Sequence, residues 1–500
     1  MKKNKIPKAN SASTLNPKKL DIVIYGHSIA AFISALTIQN TLADQVSLTL
    51  VLPADQAYSD ILYGGTSTPE AYNLHLAMDI SEAELFQQTN SSFSFGTHYQ
   101  NWTREKFDWM QAFSLPFTSK YGVDFHQVLL KHKQDLQTYL VGAQSALQEK
   151  FAHPPQNQTA SPLSRAEYGY NFDYQNYALF LLNKIKQSEI RLIQSDLLGV
   201  DVADEYITSL RLNDDSCIKA DLFIDCSGTD AKLISALDVK KRVHSQINLS
   251  LLTNEDDTQM KPCNIVSGHV NSWQSTLYLQ NSSQVLQAVS AEYTSVENKS
   301  SANTVASISA EIGEQEQAWV GNCVAISLSA AVLEPFSNAP FRLLKLDIER
   351  LLELIPISNN MRMEQKEYNR RYKLDVQHAR LFNLALTDTR HFLQHEHPTQ
   401  NQVLDSDTQA LLERKLAQYL HRGLMVAYNF EPFNTEDWII LHFGMQRFPK
   451  RLDSQCDNID NSNVKQHLLH TKNVIAAIVP KMPPCSLYTQ KFLNYLKSQS

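Results

Sequence analysis

The stretch DIVIYGHSIAAFISAL, residues 21–36, decides the fold of this chain. Its first residues form an apolar run typical of a buried strand, and small and apolar residues follow Gly26 at helical spacing. A second apolar run, VSLTLVL at residues 46–52, predicts another buried strand, which ends at Pro53. The order strand, helix, strand predicts a βαβ crossover, and such a crossover opens a parallel sheet in an α/β fold.

Glycine turns recur at the ends of later predicted strands. The segment ADLFIDCSG ends at Gly228, and WVGNCVAISLSAAVLEPF, residues 319–336, contains Gly321. In dinucleotide-binding folds such turns let the backbone approach a cofactor whose phosphates lie at a helix N-terminus. Each turn alone is ordinary α/β architecture. Together, Gly26, Gly228 and Gly321 favour a cofactor site at which the three turns converge.

The rest of the chain differs from this α/β part. Residues 76–164 are rich in aromatic and amide side chains and are predicted to be mostly helical. Residues 241–309 have the pattern of antiparallel strands with Ser/Asn-rich turns, and residues 346–500 repeat apolar residues at helical period. The sequence therefore predicts a mixed fold, α/β with α+β character, in which a Rossmann-like module is joined to a second, mostly helical module.

The composition excludes several functional classes. The 500 residues carry a net charge of −7 with no long basic stretch, which gives no electrostatic basis for binding nucleic acid. No apolar run reaches the roughly 18 to 20 residues that cross a bilayer. The basic segment 1–20 is predicted to be a disordered tail, since it lacks the apolar core of a secretory signal. The six cysteines form no C-x-x-C pair, which favours a cytoplasmic location and predicts no metal site.

Motifs along residues 20–450 resemble those of the FAD-dependent tryptophan halogenases. They are, in chain order, GHSIAA at 26–31, YGGTSTPE at 63–70, SSFSFGTHYQNW at 91–102, YNFDYQNYALFLL at 170–182, ADLFIDCSG at 220–228 and WVGNCVAISLSAAVLEPF at 319–336. The fourth and fifth strings are the closest matches. The order of the motifs as well as their content carries the resemblance.

The resemblance implies a discontinuous FAD-binding module formed by residues 21–75, 165–240 and 310–345. The antiparallel section 241–309 follows it, and a helical module, residues 76–164 and 346–500, would hold an aromatic, indole-type substrate. Enzymes of this family use reduced FAD from a separate flavin reductase, with oxygen and halide, to halogenate tryptophan or another aromatic compound. A homodimer or a complex with a paralogue is a further expected assembly. Carried over motif by motif, the cofactor-binding positions are Gly26, Ser28, Ala31, Gly64, Gly65, Thr66, Ser67, Gly228, Ser327, Leu333 and Pro335.

Positions on which the family's chemistry rests hold other residues in this chain. The family's catalytic lysine falls at Ser94, whose hydroxyl supplies no cation. His98 lies four residues further on, and on one strand it would share a face with Ser94 and serve as the donor. The family's catalytic glutamate falls at Ser337. The halide loop falls at Ala339 and Pro340, where proline offers no N–H to an anion.

The cofactor turns are also altered. Ser28 replaces the glycine that lets the backbone approach the pyrophosphate, and Gly65 takes the place of a family glutamate. The acidic residue expected at the end of the second strand, which binds a ribose hydroxyl, is replaced by Leu52. After a short shift of the loop, Asp55 would substitute for it.

Two functions of different classes remain open at this point. The first is an active, divergent flavin enzyme that oxidises or halogenates an aromatic compound. The second is a catalytically inactive protein of the same fold that binds a small ligand or a partner. The side chains of Trp102, Trp109 and Trp438 either line an indole site or pack in the core.

Overall fold

A computed structural model describes most of the chain after the basic N-terminal segment. The described residues are 19–54, 58–103, 107–117, 119–120, 122–155, 161–255, 259–269, 272–290, 303–355, 360–387 and 405–499. The predicted tail, residues 1–20, lies almost entirely outside them, and so does Asp55.

The strands are β1 Leu20–Tyr25, β2 Val46–Leu52, β3 Ser92–Ser94, β4 Gly96–Gln100, β5 Trp109–Ala112, β6 Ser119–Lys120, β7 Val123–Asp124, β8 Gly169–Asn171, β9 Arg191–Gln194, β10 Leu197–Ala203, β11 Tyr206–Leu212, β12 Cys217–Ile218, β13 Leu222–Asp225, β14 Lys241–Asn254, β15 Asn264–His269, β16 Ser272–Tyr278, β17 Ser283–Ser290, β18 Asn303–Gln315, β19 Trp319–Val320, β20 Cys323–Ala325 and β21 Ala331–Val332. The α-helices are α1 Ile29–Leu42, α2 Ala71–Ala77, α3 Glu82–Gln88, α4 Phe125–Lys131, α5 Val141–Leu147, α6 Tyr174–Lys186, α7 Ala339–Leu354, α8 Arg362–Leu386, α9 Ser406–Arg422, α10 Thr435–Gly444, α11 Asn461–Ile478 and α12 Cys485–Gln499.

A six-stranded sheet forms the first layer, with the strand order β19-β20-β13-β1-β2-β9. Strands β20, β13, β1, β2 and β9 run parallel, and β19 pairs antiparallel with β20. The strands at its centre are buried on both faces, which explains their continuous apolar runs. Helix α1 is buried from residue 29 to residue 38 and contacts α6, so it lies between the sheet and further helices. The mixed α/β fold class predicted from the sequence is confirmed.

An eight-stranded sheet forms the second layer, in the order β21-β18-β14-β17-β16-β15-β4-β5. Its pairs are antiparallel except for β15 with β4. Strands β4 and β5 come from residues 96–112, so the prediction that residues 76–164 are mostly helical is wrong for this part. In β4 the ring of Tyr99 is buried and stacks on Trp109 of β5, and aromatic content alone does not distinguish a strand from a helix.

A buried network of ion pairs and one hydrogen bond joins helices α7 and α8 to the first layer. Arg350 of α7 binds Asp347, at 2.8 Å, and Asp375 of α8. The second carboxylate oxygen of Asp347 accepts the backbone N–H of Ser327 at 2.8 Å. Since Ser327 follows β20, this network fixes α7 and α8 against the carboxyl edge of the parallel sheet.

Helix α6 begins at a capping aspartate that belongs to the motif YNFDYQNYALFLL, residues 170–182. The side chain of Asp173 accepts the backbone N–H groups of Gln175 and Asn176 at 3.1 and 3.3 Å. Replacing Asp173 by Ala is expected to lower the free energy of unfolding by about 1 to 2 kcal/mol, because two N–H groups lose their acceptor. Asp173→Asn keeps an acceptor and is expected to lose only a fraction of that. Urea unfolding measures both, and equal stabilities of the Ala variant and the wild type would contradict the capping role.

Within the described residues, no helix combines the length and apolarity needed to cross a membrane. The same part of the chain holds no group of three His, Cys, Asp or Glu side chains placed to bind a metal ion. All six cysteines are free thiols, and all but Cys217 are buried.

Candidate functional site

Two glycine turns meet at the carboxyl edge of the parallel sheet. Gly26 follows β1 with φ +151°, and a Cβ there would lie 2.1 Å from the carbonyl oxygen of Cys226. Gly228 follows β13 with φ +73°, and a Cβ there would lie 2.6 Å from the hydroxyl oxygen of Ser59. Both positions therefore exclude any side chain, and the two turns lie where the sequence predicted a cofactor to bind.

Gly321 does not join this site, so the prediction that three turns converge is wrong. Gly321 lies between β19 and β20, and a Cβ there would lie 2.1 Å from the carbonyl oxygen of Glu205 in the β10–β11 turn. Because β20 runs parallel to β13, a residue that precedes β20 lies at the opposite edge of the sheet. Ser327, which follows β20, is the residue that reaches the carboxyl edge.

Helix α1 begins at this edge. Its N-cap residue Ser28 accepts the N–H of Ala31 at 3.4 Å and donates to the carbonyl of Cys226 at 3.1 Å. Ser28 and Ala31 are 2% and 0% exposed. Ser28 thus holds the α1 N-terminus to the β13 turn, and its hydroxyl is committed to the protein itself.

Residues 58–67, called the 58–67 segment below, cross the space between the turns. A carboxylate oxygen of Asp60 accepts the N–H of Ile29, in the first turn of α1, at 3.1 Å. The hydroxyl of Tyr63 bonds that of Ser327 at 2.7 Å. Ser59 lies against Gly228. The 58–67 segment therefore contacts the carboxyl ends of three of the five parallel strands, β1, β13 and β20.

The second half of the 58–67 segment is held equally closely. A Cβ at Gly64 would lie 2.7 Å from the carbonyl oxygen of Pro335, and one at Gly65 would lie 2.0 Å from a methyl carbon of Leu277. The N–H of Gly65 bonds the hydroxyl of Tyr174. The remaining cofactor positions predicted in this region are buried too: Thr66 forms a bridge with Asn171, Ser67 donates its N–H to Tyr170 at 2.9 Å, and Leu333 is 2% exposed.

Burial changes the electrostatics of the 58–67 segment. Desolvation raises the pKa of Asp60 to about 7, and the hydrogen bond from Ile29 opposes this only in part. The other carboxylate oxygen of Asp60 is buried and, among the described residues, has no hydrogen-bond partner. Burial also holds the pKa of the Tyr63 and Tyr174 hydroxyls well above the usual value, so both stay protonated.

FAD does not fit this arrangement. In dinucleotide-binding folds the pyrophosphate lies at the N-terminus of the helix after the first strand, where free N–H groups stabilise its charge. Here the Asp60 carboxylate accepts the N–H of Ile29 at that end of α1. The neighbouring side chains of the 58–67 segment, Ser59, Ile61, Leu62 and Tyr63, are almost wholly buried. A flavin pyrophosphate could take the usual place at α1 only if the Asp60 carboxylate moved away.

Ser94 and His98 lie on different strands, so the prediction that they share a strand face is wrong. Ser94 ends β3, which pairs with β8, and His98 lies in β4 of the eight-stranded sheet. The first strand ends before Gly96, which begins β4. Gly96 has a φ of +133°, and a Cβ there would lie 2.1 Å from the carbonyl oxygen of Gln111. Ser94 is 1% exposed, and its hydroxyl donates to the carbonyl of Gly96 and accepts the N–H of Gly96, both at 3.3 Å. Burial lowers the pKa of His98, which disfavours a histidinium cation there.

Ser337, where the resemblance predicts the family's glutamate, is bound inside the protein. Its hydroxyl donates to the side-chain oxygen of Asn383 at 2.6 Å and accepts the N–H of Ala339 at 3.2 Å. Ala339 and Pro340 form the first turn of α7, where Pro340 lacks an N–H. The backbone donor of Ala339 is thus already used, so this turn has little to offer a halide ion.

The three tryptophans named above are core residues. Trp102, Trp109 and Trp438 are at most 2% exposed, and the indole N–H of Trp102 donates to the carbonyl of Leu386 at 2.9 Å. The sequence did not single out Asp60, Tyr63 or Asn383, which make the decisive contacts. The one feature of the sequence that could have indicated a buried role for Asp60 is its position directly before the apolar string ILYGG.

The fold defines a Rossmann-like α/β protein whose parallel sheet is joined to a large antiparallel sheet and a helical layer. A family model described as tryptophan halogenase matches residues 21–461, so this chain belongs to the tryptophan halogenase family. The resemblance predicted from its motifs is confirmed.

Similar proteins extend over most of the chain. Tryptophan 6-halogenase from Streptomyces toxytricini is 24% identical over 391 residues, which are 69% of this chain and 73% of that protein. The structure of a flavin-dependent halogenase from Brevundimonas sp. BAL3 superposes with a TM-score of 0.83 at 21% identity and covers 95% of this chain and 100% of its own. One from Xanthomonas campestris superposes with a TM-score of 0.84 at 21% identity, over 95% and 99% of the two chains. At these identities the structural likeness shows the shared fold.

Proposed function

We propose that this chain is a member of the tryptophan halogenase family that does not halogenate and that acts as a ligand-binding protein. One observation carries the proposal: the Asp60 carboxylate of the 58–67 segment accepts the N–H of Ile29 at the N-terminus of α1, where a dinucleotide's pyrophosphate would lie. A second carboxylate or phosphate at that helix end would meet an uncompensated negative charge whenever Asp60 is ionised.

The altered chemical positions support the same proposal. An oxidant made at a flavin would need a cation or amine to hold it, and Ser94 offers neither. Proton transfer or orientation at an aromatic ring would need the carboxylate that Ser337 lacks. These two side chains are also committed to Gly96 and Asn383, so neither is free to take up a new role without a rearrangement.

A halogenation assay tests this proposal. The protein is incubated with a flavin reductase, NADH, FAD, oxygen and bromide, with tryptophan and simple indoles as acceptors, and the products are analysed by mass spectrometry. We expect no brominated product. We expect the same for Ser94→Lys alone, because Ser337, Ala339 and Pro340 remain unchanged. Bromination by the wild type, or its recovery by that single change, would contradict the proposal.

A divergent but active flavin enzyme is the second candidate, and the extent of the family match favours it. In that case the chain would use reduced FAD from a reductase on an aromatic substrate after the 58–67 segment has opened. The same assay separates the two functions, since an active flavin enzyme would convert the aromatic acceptor into a brominated or oxygenated product that mass spectrometry detects.

A further inference from the structure

Four basic side chains lie buried together in the helical layer. They are His126 of α4, Lys415 of α9, His442 of α10 and Arg447, which follows α10, and each is at most 2% exposed. These four residues are called the basic cluster below. Lys415 is paired with the carboxylate of Glu431, so its charge is balanced. The two histidines have no such carboxylate at hydrogen-bond distance among the described residues.

His442 is the most enclosed member of the basic cluster. Its ring stacks on that of Tyr419 in α9, with the centroids 3.9 Å apart and the planes 7° from parallel. Both ring nitrogens are buried and have no hydrogen-bond partner within the described part of the chain. Burial and the charges of Arg447, His126 and Lys415 hold the pKa of His442 well below its usual value. A proton on this ring would therefore add an unbalanced positive charge to the protein interior.

His126 adds a second buried imidazole to the basic cluster. Its Nε2 donates to the carbonyl of Gly423 at 2.8 Å, which leaves the lone pair of the neutral ring on Nδ1. Nδ1 is buried too, and no described residue forms a hydrogen bond with it. Burial lowers the pKa of His126, although the bond to Gly423 and the charge of Asp124 oppose the effect. The folded protein thus holds both imidazoles in the neutral form at neutral pH.

The helix that carries His442 packs on the last strand of the eight-stranded sheet. Strand β5 ends the strand order, and the side chain of its Gln111 donates to the carbonyl of Asp437 in α10 at 2.9 Å. A Cβ at Gly444 of α10 would lie 2.1 Å from the ring of Trp109 in β5. Edge strands are templates for pairing with other chains, and proteins often cover them. Helix α10 therefore helps to cover β5 and to keep Trp109 buried.

We propose that the basic cluster is an acid-sensitive switch, through which protonation of His442 and His126 releases α10 from β5 in mildly acidic solution. Two imidazolium ions would repel Arg447 in a buried site, and opening of the layer would return them to water. A histidine whose pKa is lowered by folding contributes stability above about pH 6.5, and this stability is lost as the pH falls below that value. The switch does not depend on whether the protein halogenates.

The carboxylates at the start of α10 act in the opposite direction or lie outside the basic cluster. Asp437 faces Arg342 at 3.1 Å, and Glu436 pairs with Arg165 at the same distance. Burial raises the pKa of Asp437 to about 6, and Arg342 opposes this only in part. A carboxyl group with a raised pKa stabilises the folded protein as the pH falls, so Asp437 cannot cause an opening in acid.

Urea unfolding of the full-length wild type and of His442→Phe at pH 7 and pH 5 tests the role of His442. Phenylalanine keeps a ring on Tyr419 and cannot take a proton. The ratio of the unfolding constant of the wild type to that of the variant is expected to rise about 25-fold from pH 7 to pH 5. His470→Phe, at an exposed histidine of α11, is the matched control and should follow the wild type. An unchanged ratio for His442→Phe would overturn the proposal.

Hydrogen exchange of the wild-type protein, followed by mass spectrometry, locates the opening. After correction for the intrinsic effect of pH on exchange, amides of α4, α9 and α10 are expected to exchange faster at pH 5 than at pH 7. Those of β1, β2 and β13 should exchange at the same rate at both. Faster exchange along the whole chain, or none in the three helices, would overturn the proposal. This measurement needs no variant, so it still decides if His442→Phe does not fold.

Discussion

Titration of the wild-type protein with FAD, oxidised or reduced, is expected to show no saturable binding below about 1 mM. The nucleotide would have to displace the 58–67 segment. That displacement breaks the hydrogen bonds of Asp60 with Ile29 and of Tyr63 with Ser327. It also removes Ile61, Leu62 and Tyr63 from a core in which each is at most 4% exposed.

The expected size of the effect follows from this burial. Exposing a fully buried side chain of this kind costs about 1.5 to 3 kcal/mol, so three of them cost about 5 to 9 kcal/mol. Some of this would be regained by packing on the flavin. Even half of it, about 2.5 to 4.5 kcal/mol, weakens the apparent affinity about 70-fold to 2000-fold, because only the rare open state binds.

A matched pair of variants tests the cause. Leu62→Ala loosens the 58–67 segment and is expected to raise the affinity for FAD above that of the wild type. Leu198→Ala, at a leucine that is 59% exposed in β10, should leave it unchanged. A micromolar dissociation constant for the wild type would show that the segment is no barrier.

The Asp60→Asn variant is expected to be more stable than the wild type above neutral pH. The pKa of Asp60 is raised in the folded protein from 3.8 to about 7. The stability that this group contributes is therefore fully present below about pH 4 and is lost as the pH rises through about 7. An asparagine keeps an acceptor for the N–H of Ile29 and cannot ionise. The gain at pH 8.5 is expected to be at most about 4 kcal/mol, with little difference at pH 4.

Urea unfolding of both proteins between pH 4 and pH 8.5 measures this difference. Asp44→Asn, at an exposed aspartate, is the matched control and should follow the wild type at every pH. The tyrosines next to Asp60, Tyr63 and Tyr174, stay protonated throughout this window and add no pH dependence. Parallel curves for Asp60→Asn and the wild type would mean that Asp60 is not buried as the structure has it.

The sequence was sufficient for the parallel sheet and the family because both rest on local signals. Continuous apolar runs mark β1 and β2, and the turns at Gly26 and Gly228 follow their strands directly. A glycine turn alone does not tell which edge of the sheet it lies on. Gly321 precedes its strand instead of following it, and only the parallel pairing of β20 with β13 places it at the other edge.

The candidate site depended on contacts between residues far apart in sequence. Asp60 and Ile29, which are in contact, are 31 positions apart in the sequence, and Tyr63 and Ser327 are 264 positions apart. No pattern in the sequence predicts such a pairing. The change from β3 to β4 next to Gly96, which places Ser94 and His98 on different strands, likewise depends on the close approach of the neighbouring strand β5.

A crystal structure of the protein grown with FAD and bromide tests most directly whether the 58–67 segment takes the place of the dinucleotide. We predict that the Asp60 carboxylate stays on the N–H of Ile29 and that no flavin density lies between Gly26 and Gly228. Flavin density at the N-terminus of α1, with Ser59 to Tyr63 moved aside, would contradict this.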